Sequence, residues 1–412
     1  MKISNKKITR FLIAISAIAL FGGCKKFLDR EPLGIAQIDL NVGALEGKTV
    51  GLYGAIRNSA AQPYCGDGFQ GIAYVAMNGF RSDDAEIVSD PGASAWHQTY
   101  DNFQYTKDDW GAGLYWDKHF IFVGLCNDIL DDAAKQNLTD PASVINTAEA
   151  RFFRAYAYFD LVRTYGAVPK IDFKINTPAD GNVAKSDTAA IYALINDDLT
   201  FAEQNLPIVW EAKFAGRANK WAAKALHAKV LLQQRRYAEA LPICKDIINN
   251  GPYQLYTPYW KMFKKEGELC SESIFEIQAA KTAGDGNTYW SRLGQCQGVR
   301  GSGTWDLGWG WNTPTTNLVG TYEAGDVRKD ATILFSNQSD GGTNTGGYGL
   351  TLPNLTNALY WNKKVYNQYS DYLANGLGTP ENESQNTWVN QRVLRLSDVL
   401  LMGAEAANET GA

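Results

Sequence analysis

Few residues in this 412-residue chain have the types and spacing that chemistry requires. It contains only three histidines, His97, His119 and His227, which argues against a multi-histidine metal centre. Carboxylates occur as neighbours at Asp83–Asp84, Asp108–Asp109, Asp131–Asp132 and Asp197–Asp198. Glycoside cleavage needs two carboxyls facing each other across a cleft of about 5–10 Å. Adjacent side chains diverge, so such pairs cannot supply that geometry alone. Asp131–Asp132 and Asp197–Asp198 fall on helix faces and read as solvated. Asp83–Asp84 lies in a loop and is either solvated or able to bind sugar hydroxyls or a cation. His97, beside Trp96, could hydrogen-bond a ligand, but no serine or cysteine nucleophile motif accompanies it. Gly66–Gly71 spells G-x-G-x-x-G, yet NSAAQPYC precedes it rather than an apolar strand. It therefore reads as a turn-rich loop and not as a dinucleotide site.

The aromatic residues give a stronger signal. A pyranose has a face of C–H groups and a rim of hydroxyls. An exposed indole or phenol covers that face without demanding buried hydrogen bonds, and arginine, asparagine or aspartate can pair with the rim. Trp96, Tyr100 and Phe103 offer such rings in one region. Tyr289, Trp290, Trp305, Trp309 and Trp311 offer them in another, where residues 284–312 carry eight glycines and four of the chain's twelve tryptophans. Glycine there leaves rings uncovered and lets backbone approach a ligand. The expected glycan contacts are Trp96, Tyr289, Trp290, Trp305, Trp309 and Trp311, with Arg81 and Arg300 as polar partners. The competing reading is that these rings form a small core for the loops themselves.

These rings need elements to hold them. Charged residues are only 20% and hydrophobic ones 45%, which excludes wholesale disorder. A formal net charge of −5 gives no footprint for nucleic acid. Lys2, Lys6, Lys7 and Arg10 precede an apolar run, Phe11–Phe21, too short to span a bilayer as a helix. Gly22, Gly23 and Cys24 follow in the layout of a bacterial lipoprotein signal. Residues 1–23 are thus expected to be removed and Cys24 to carry acyl chains, with 24–42 as a tether to a single domain ending at 412. Of the other five cysteines, Cys126 and Cys244 lie on apolar helical stripes and read as buried thiols. Cys65, Cys270 and Cys296 complete no regular framework, and no C-x-x-C pair exists. No metal or cofactor is expected.

A helix is expected from about Gly43 to Ser59, then irregular chain over 61–112. Phe122, Leu125, Cys126, Ile129 and Leu130 follow the helical period. Pro141 opens a helix that Gly166 and Pro169 end near Tyr165. Phe152, Ala155, Tyr156 and Phe159 mark one of its stripes and Phe153, Ala157 and Leu161 a second, so it must be covered on two sides. Ser186–Asp187 can cap the next helix. ALHAKVLLQQRRYAEALPICKDIINN resembles a tetratricopeptide repeat, with alanines where two helices touch. SIFEIQAA (273–280) reads as a strand, and Val393–Asn408 as a final helix. The fold expected is mainly α: tetratricopeptide-like helix pairs, long Gly/Trp-rich loops and a little β.

Four segments, in order along the chain, resemble the SusD/RagB-like family. They are Cys24-Lys-Lys-Phe-Leu-Asp29 with Pro32, EARFFRAYAYFDLVRTYGAVP (149–169), SIFEIQ with the Gly/Trp-rich stretch and LVGTYEAGDVRKDATI (318–333), and RLSDVLLMGAEAANETG (395–411). The resemblance implies a mostly α-helical, lipid-anchored outer-membrane protein facing the cell surface. It also implies glycan binding without catalysis and a TonB-dependent, SusC-like transporter as partner. Family chains continue with further helices, so the last helix here has no partner after Ala412, its apolar stripe is expected to stay exposed unless another part of the fold covers it, and the sequence reads as a fragment. Two rival readings are a helical scaffold that holds the transporter without binding glycan, and a lipoprotein glycosidase.

Overall fold

The computed structural model describes residues 44–57, 71–87, 95–280, 291–355, 358–374 and 388–412. All of these fall in the unit Ile35–Ala412. Cys24 and the leader, Cys65, most of the glycine motif at 66–71, and Tyr289 and Trp290 lie outside the described residues.

The helices are α1 (Glu46–Ile56), α2 (Ile72–Asn78), α3 (Ala95–Asp101), α4 (Trp110–Lys135), α5 (Pro141–Tyr165), α6 (Thr188–Asn205), α7 (Lys220–Gln233), α8 (Tyr237–Asn250), α9 (Leu293–Gln297), α10 (Thr316–Thr321), α11 (Val327–Thr332), α12 (Tyr369–Ala374) and α13 (Leu396–Thr410). Four of the long ones start on a side chain that accepts an otherwise orphaned backbone N–H. Asp109 accepts from Gly111, Asp140 from Ser143, Asp187 from Ala190 and Asn219 from Ala222. Pro141 at the first turn and Gly166 at φ +71° set the ends of α5 where the sequence places them. Helices α2 and α3 interrupt the stretch expected to be irregular; each is only two turns long, too short for a periodic signal to emerge.

The long helices pack each against the next, α4 on α5, α5 on α6, α6 on α7, α7 on α8 and α8 on α13, in the manner of stacked helix pairs. Helix α5 is central, and from Ala148 to Val162 only Arg151 retains partial exposure. Its buried charged side chains are paired. Arg154 donates twice to Asp198 of α6, both at 2.8 Å. Asp198 is therefore buried and not solvated as expected, because its partner comes from another helix. Glu149 accepts from Arg217 at 2.9 and 2.5 Å, and Glu46 binds the same guanidinium. Cys126 and Cys244 are buried thiols, with burial pushing Cys244 up to about 11. Leu125 faces outward, one position off the expected stripe.

The strands are short pairs: β1 (Ala85–Glu86), β2 (Val168–Pro169), β3 (Lys185–Ser186), β4 (Ser273–Ile277), β5 (Thr313–Pro314), β6 (Ile333–Phe335), β7 (Tyr360–Asn362) and β8 (Gln391–Arg395). All pair antiparallel, β1 with β5, β2 with β3, β4 with β8 and β6 with β7. Residues 393–395, expected to be helical, are strand because pairing with β4 overrides local preference. Phe275 of β4 presses edge-on against Phe152 and Phe153 at 5.2 and 6.1 Å, joining this pair to the core. Helix α13 does have a partner. It lies on α8, and a Cβ on Gly403 would stand 3.3 Å from Cys244 Cβ and 3.6 Å from Ile248. Only its outer side, with Leu401 71% exposed, remains uncovered.

Two outcomes follow. Gly403→Leu is expected to force α13 off α8 and lower stability by about 1–3 kcal/mol in urea denaturation. Burial also pushes the Glu268 carboxyl, near the β4–β8 pair, up to about 7. An unfolded glutamate titrates near 4.3, so the folded state holds the extra proton between these values and loses stability as pH rises through them. Glu268→Gln is expected to remove that loss. Its advantage over wild type should grow between about pH 4.5 and 7, reach on the order of 2 kcal/mol, and stay flat outside that window.

Candidate functional site

Trp96 from α3, Trp110 from the start of α4, and Trp309 and Trp311 from the loop before β5 meet in one aromatic ledge. The Trp96 and Trp110 rings are 4.7 Å apart, Trp96 and Trp311 5.6 Å, and Trp309 and Trp311 4.6 Å. All four retain exposed surface, most of all Trp110 at 44%. Phe80 and His97, both buried, back them. Phe80 lies 6.1 Å from Trp96 and 6.2 Å from Trp311, and His97 lies 4.4 Å from Trp311.

Aromatic contacts extend the ledge through Tyr100, which stands edge-on to Trp96 at 6.1 Å and stacks on Tyr105 at 4.9 Å. Arg81 sits 5.5 Å from the Tyr105 ring and 5.6 Å from that of the exposed Phe103. At the other end Arg292 lies 5.8 Å from Trp309. The ledge is therefore apolar along its length with a guanidinium at each end, a combination that covers C–H surface and offers donors to hydroxyls.

Two regions distant in sequence, 96–110 and 309–311, make this surface, and specific contacts fix each. The Trp309–Trp311 backbone is strapped to α9 and its end. Trp309 N–H donates to Gln295 O at 2.7 Å, Gly310 N–H to Gly298 O at 2.9 Å and Trp311 N–H to Cys296 O at 2.8 Å. Gly298 and Gly308 make the approach possible, since a Cβ would fall 2.1 Å from Leu307 O and 2.7 Å from Gly298 Cα respectively. The glycines thus serve packing of loop on loop. The strand pair β1–β5 ties the same loop to residues 83–86. Thr315 N–H donates to Asp84 O at 3.0 Å and Thr315 Oγ1 to Asp83 O at 2.9 Å. Asp83 and Asp84 contribute backbone carbonyls here, while their side chains point to solvent. Tyr100 is held by donating to Asp109 and accepting from Ala112 N–H at 2.9 Å. Burial raises its phenol well above the ordinary value, so it stays protonated.

The structure brings together Trp96, Trp309 and Trp311 and places Arg81 beside the connected tyrosines. Trp305 belongs to a different packed group, where it stacks on the buried Tyr366 at 5.8 Å and 4°. The Arg300 and Asp306 backbones pair in an isolated antiparallel bridge that flanks that tryptophan. Sequence reasoning missed Trp110 and Arg292. A tryptophan directly after a helix-capping aspartate projects at an open helix end, and that was the available signal for Trp110. Burial raises the Glu86 and Asp101 carboxyls from their ordinary values. Among the described residues no group of three or more His, Cys, Asp and Glu is arranged to hold a metal ion. No helix among them is long and apolar enough to cross a membrane.

A stack of helix pairs with an aromatic ledge built by its loops defines a class of helical binding proteins. Two family models match the chain: one described as starch-binding and associating with the outer membrane over residues 71–232, and the SusD family over residues 271–412. The chain belongs to the SusD/RagB-like family. It is 26% identical over 419 residues to the SusD-like protein P2 of Formosa agariphila, covering 98% of this chain and 78% of the relative. It superimposes on a laminarin-binding SusD-like protein with a TM-score of 0.71 at 24% identity, over 88% of this chain and 79% of that one. It also superimposes on surface glycan-binding protein A from Bacteroides fluxus with a TM-score of 0.70 at 25% identity, over 89% and 77%.

The contact between Tyr100 and α4 gives a direct test of how the ledge is held. A Cβ on Gly111 would lie 2.5 Å from the Tyr100 hydroxyl. Gly111→Ala is expected to destabilise by about 1–3 kcal/mol instead of giving the usual gain of alanine over glycine in a helix, measured by chemical denaturation.

Proposed function

We propose that this protein is a non-catalytic glycan-binding lipoprotein of the outer membrane, anchored through Cys24 and facing the cell surface. In this reading it delivers oligosaccharide to a TonB-dependent, SusC-like transporter. The observation that carries the reading is the run of four adjoining, partly exposed indoles between Arg81 and Arg292. Successive sugar rings would lie along Trp110, Trp96, Trp311 and Trp309, with the guanidiniums pairing to hydroxyls at the ends. Tyr289 and Trp290 are proposed as further glycan contacts on the chemistry of their rings alone. Family membership and the glycan-binding names of the relatives support this assignment.

The Asp109 carboxylate at the ledge is engaged by Tyr100 and by the α4 N-terminus, which supports binding without turnover at that residue. An open ledge removes little ligand surface from water, so affinities of about 1 mM to 1 μM are expected.

The test is titration calorimetry with a panel of soluble α- and β-glucans and other oligosaccharides, alongside analysis for released products. Trp96→Ala and Trp311→Ala are each expected to weaken binding about tenfold or more, while Trp305→Ala leaves it within about twofold. Absence of binding to every glycan, with retained co-purification with the transporter, would replace this reading by the scaffold. Release of product would replace it by an enzyme.

A further inference from the structure

A second cavity lies apart from the ledge residues, between the 3-10 turns around 259–267, the glycine-rich turn at 343–347 and the start of β8. Its volume is about 240 Å³, and Trp260, Lys264, Asn367, Asp371 and Trp388 are among its lining residues. None of them takes part in the ledge. Ligand pockets for larger molecules run about 300–1,000 Å³, so this one is sized for a single ring and not a chain.

Its chemistry is specific. Trp388 is only 5% exposed, and its indole N–H has no hydrogen-bond partner among the described residues. A buried donor left without an acceptor is costly, and a ligand oxygen would satisfy it. Trp260 is half-buried, and Gly346 at φ +81° allows the turn to lie against it, since a Cβ there would stand 3.2 Å from the ring. Lys264 is buried, donating to Tyr366 O at 2.5 Å and Tyr348 Oη at 3.2 Å. Tyr348 in turn donates to Asp371. Burial pushes Lys264 down to about 8, so it remains mostly protonated at neutral pH. Lys264 and Lys265 are balanced in the lining by Glu266 and Asp371, leaving no net charge to select an ion.

We propose that this cavity is a second carbohydrate site that takes one neutral pyranose ring, with Trp260 beside its C–H face and the Trp388 indole N–H donating to a ring or hydroxyl oxygen. Donors and acceptors of both kinds around two indoles match a polyhydroxylated ring better than an anion, a cation or an aliphatic ligand. The site stands independently of the ledge, because it shares no residue with it.

The experiment uses the full mature protein labelled with 15N at the tryptophan indoles. The cross-peak that disappears in Trp388→Phe identifies Trp388 and leaves its ring in place. Titration of wild type with methyl glucosides, galactosides and mannosides is expected to move that peak saturably, and methyl glucuronides to move it less. The movement should persist in the Trp96→Ala/Trp311→Ala protein, and Trp260→Ala should weaken it about tenfold. The proposal is overturned if no neutral methyl hexopyranoside moves the Trp388 peak up to about 50 mM. It is equally overturned if the peak responds only when the ledge is intact. Loss of oligosaccharide binding at the ledge, with the Trp388 response retained, separates the fate of the two sites.

Discussion

The fold depends on one constraint: helix α5 is covered nearly all round, so each charge it buries must find a partner inside the protein. Glu149 meets Arg217, which also binds Glu46, Arg154 meets Asp198, and Asp160 lies beside His119 and Arg163. These pairs reach α1, the chain entering α7, α6 and α4. Buried ion pairs add little net stability compared with apolar packing, but removing one partner typically costs about 3–5 kcal/mol. They therefore act as a registration code. A shift of a neighbouring helix would leave one of these charges buried without its partner.

That registration reaches the ledge through the ends of the helices. Tyr165, the last residue of α5, donates to Ala112 O at 2.6 Å and so fixes the first turn of α4. The same turn carries Trp110 and grips Tyr100. The indoles thus stand on a scaffold whose position is set by buried charge, although they belong to loops. On the opposite side, the backbone straps between residues 295–298 and 309–311 hold the segment that carries Trp309 and Trp311. Local backbone pairing makes the rings rigid, and rigidity lowers the ordering cost of binding.

The loops divide their aromatics between two jobs. Trp305, Tyr348 and Tyr366 close a satellite core together with Val299, Leu307, Leu334 and Trp361. Trp96, Trp309 and Trp311 border a different core while keeping a face to solvent. Residues 305 and 309 are separated by one helical turn's worth of chain, yet they serve different neighbours. Asp340 illustrates how such loops are internally sealed. It is buried and accepts N–H groups from Gly342, Tyr348, Gly349 and Leu350 at 2.7–3.2 Å, which closes the glycine-rich turn at 341–349 on itself.

Local chemistry made much of the helical frame legible. Pro141 and Gly166 bound α5, Asp187 caps α6, the alanine-rich pair α7 and α8 was recognisable, and Cys126 and Cys244 sat on buried stripes. All of these signals act within one or two turns, where periodicity and capping decide. Tertiary structure decided what those turns meet: the burial of Asp198 by a partner on α5, the pairing of 393–395 with β4, the covering of α13 by α8, and the choice of Trp110 over Trp305 for the ledge. Trp96 and Trp311 are more than two hundred residues apart. Their adjacency depends on the whole stack closing, so residue type and spacing could nominate rings but could not say which of them share a surface.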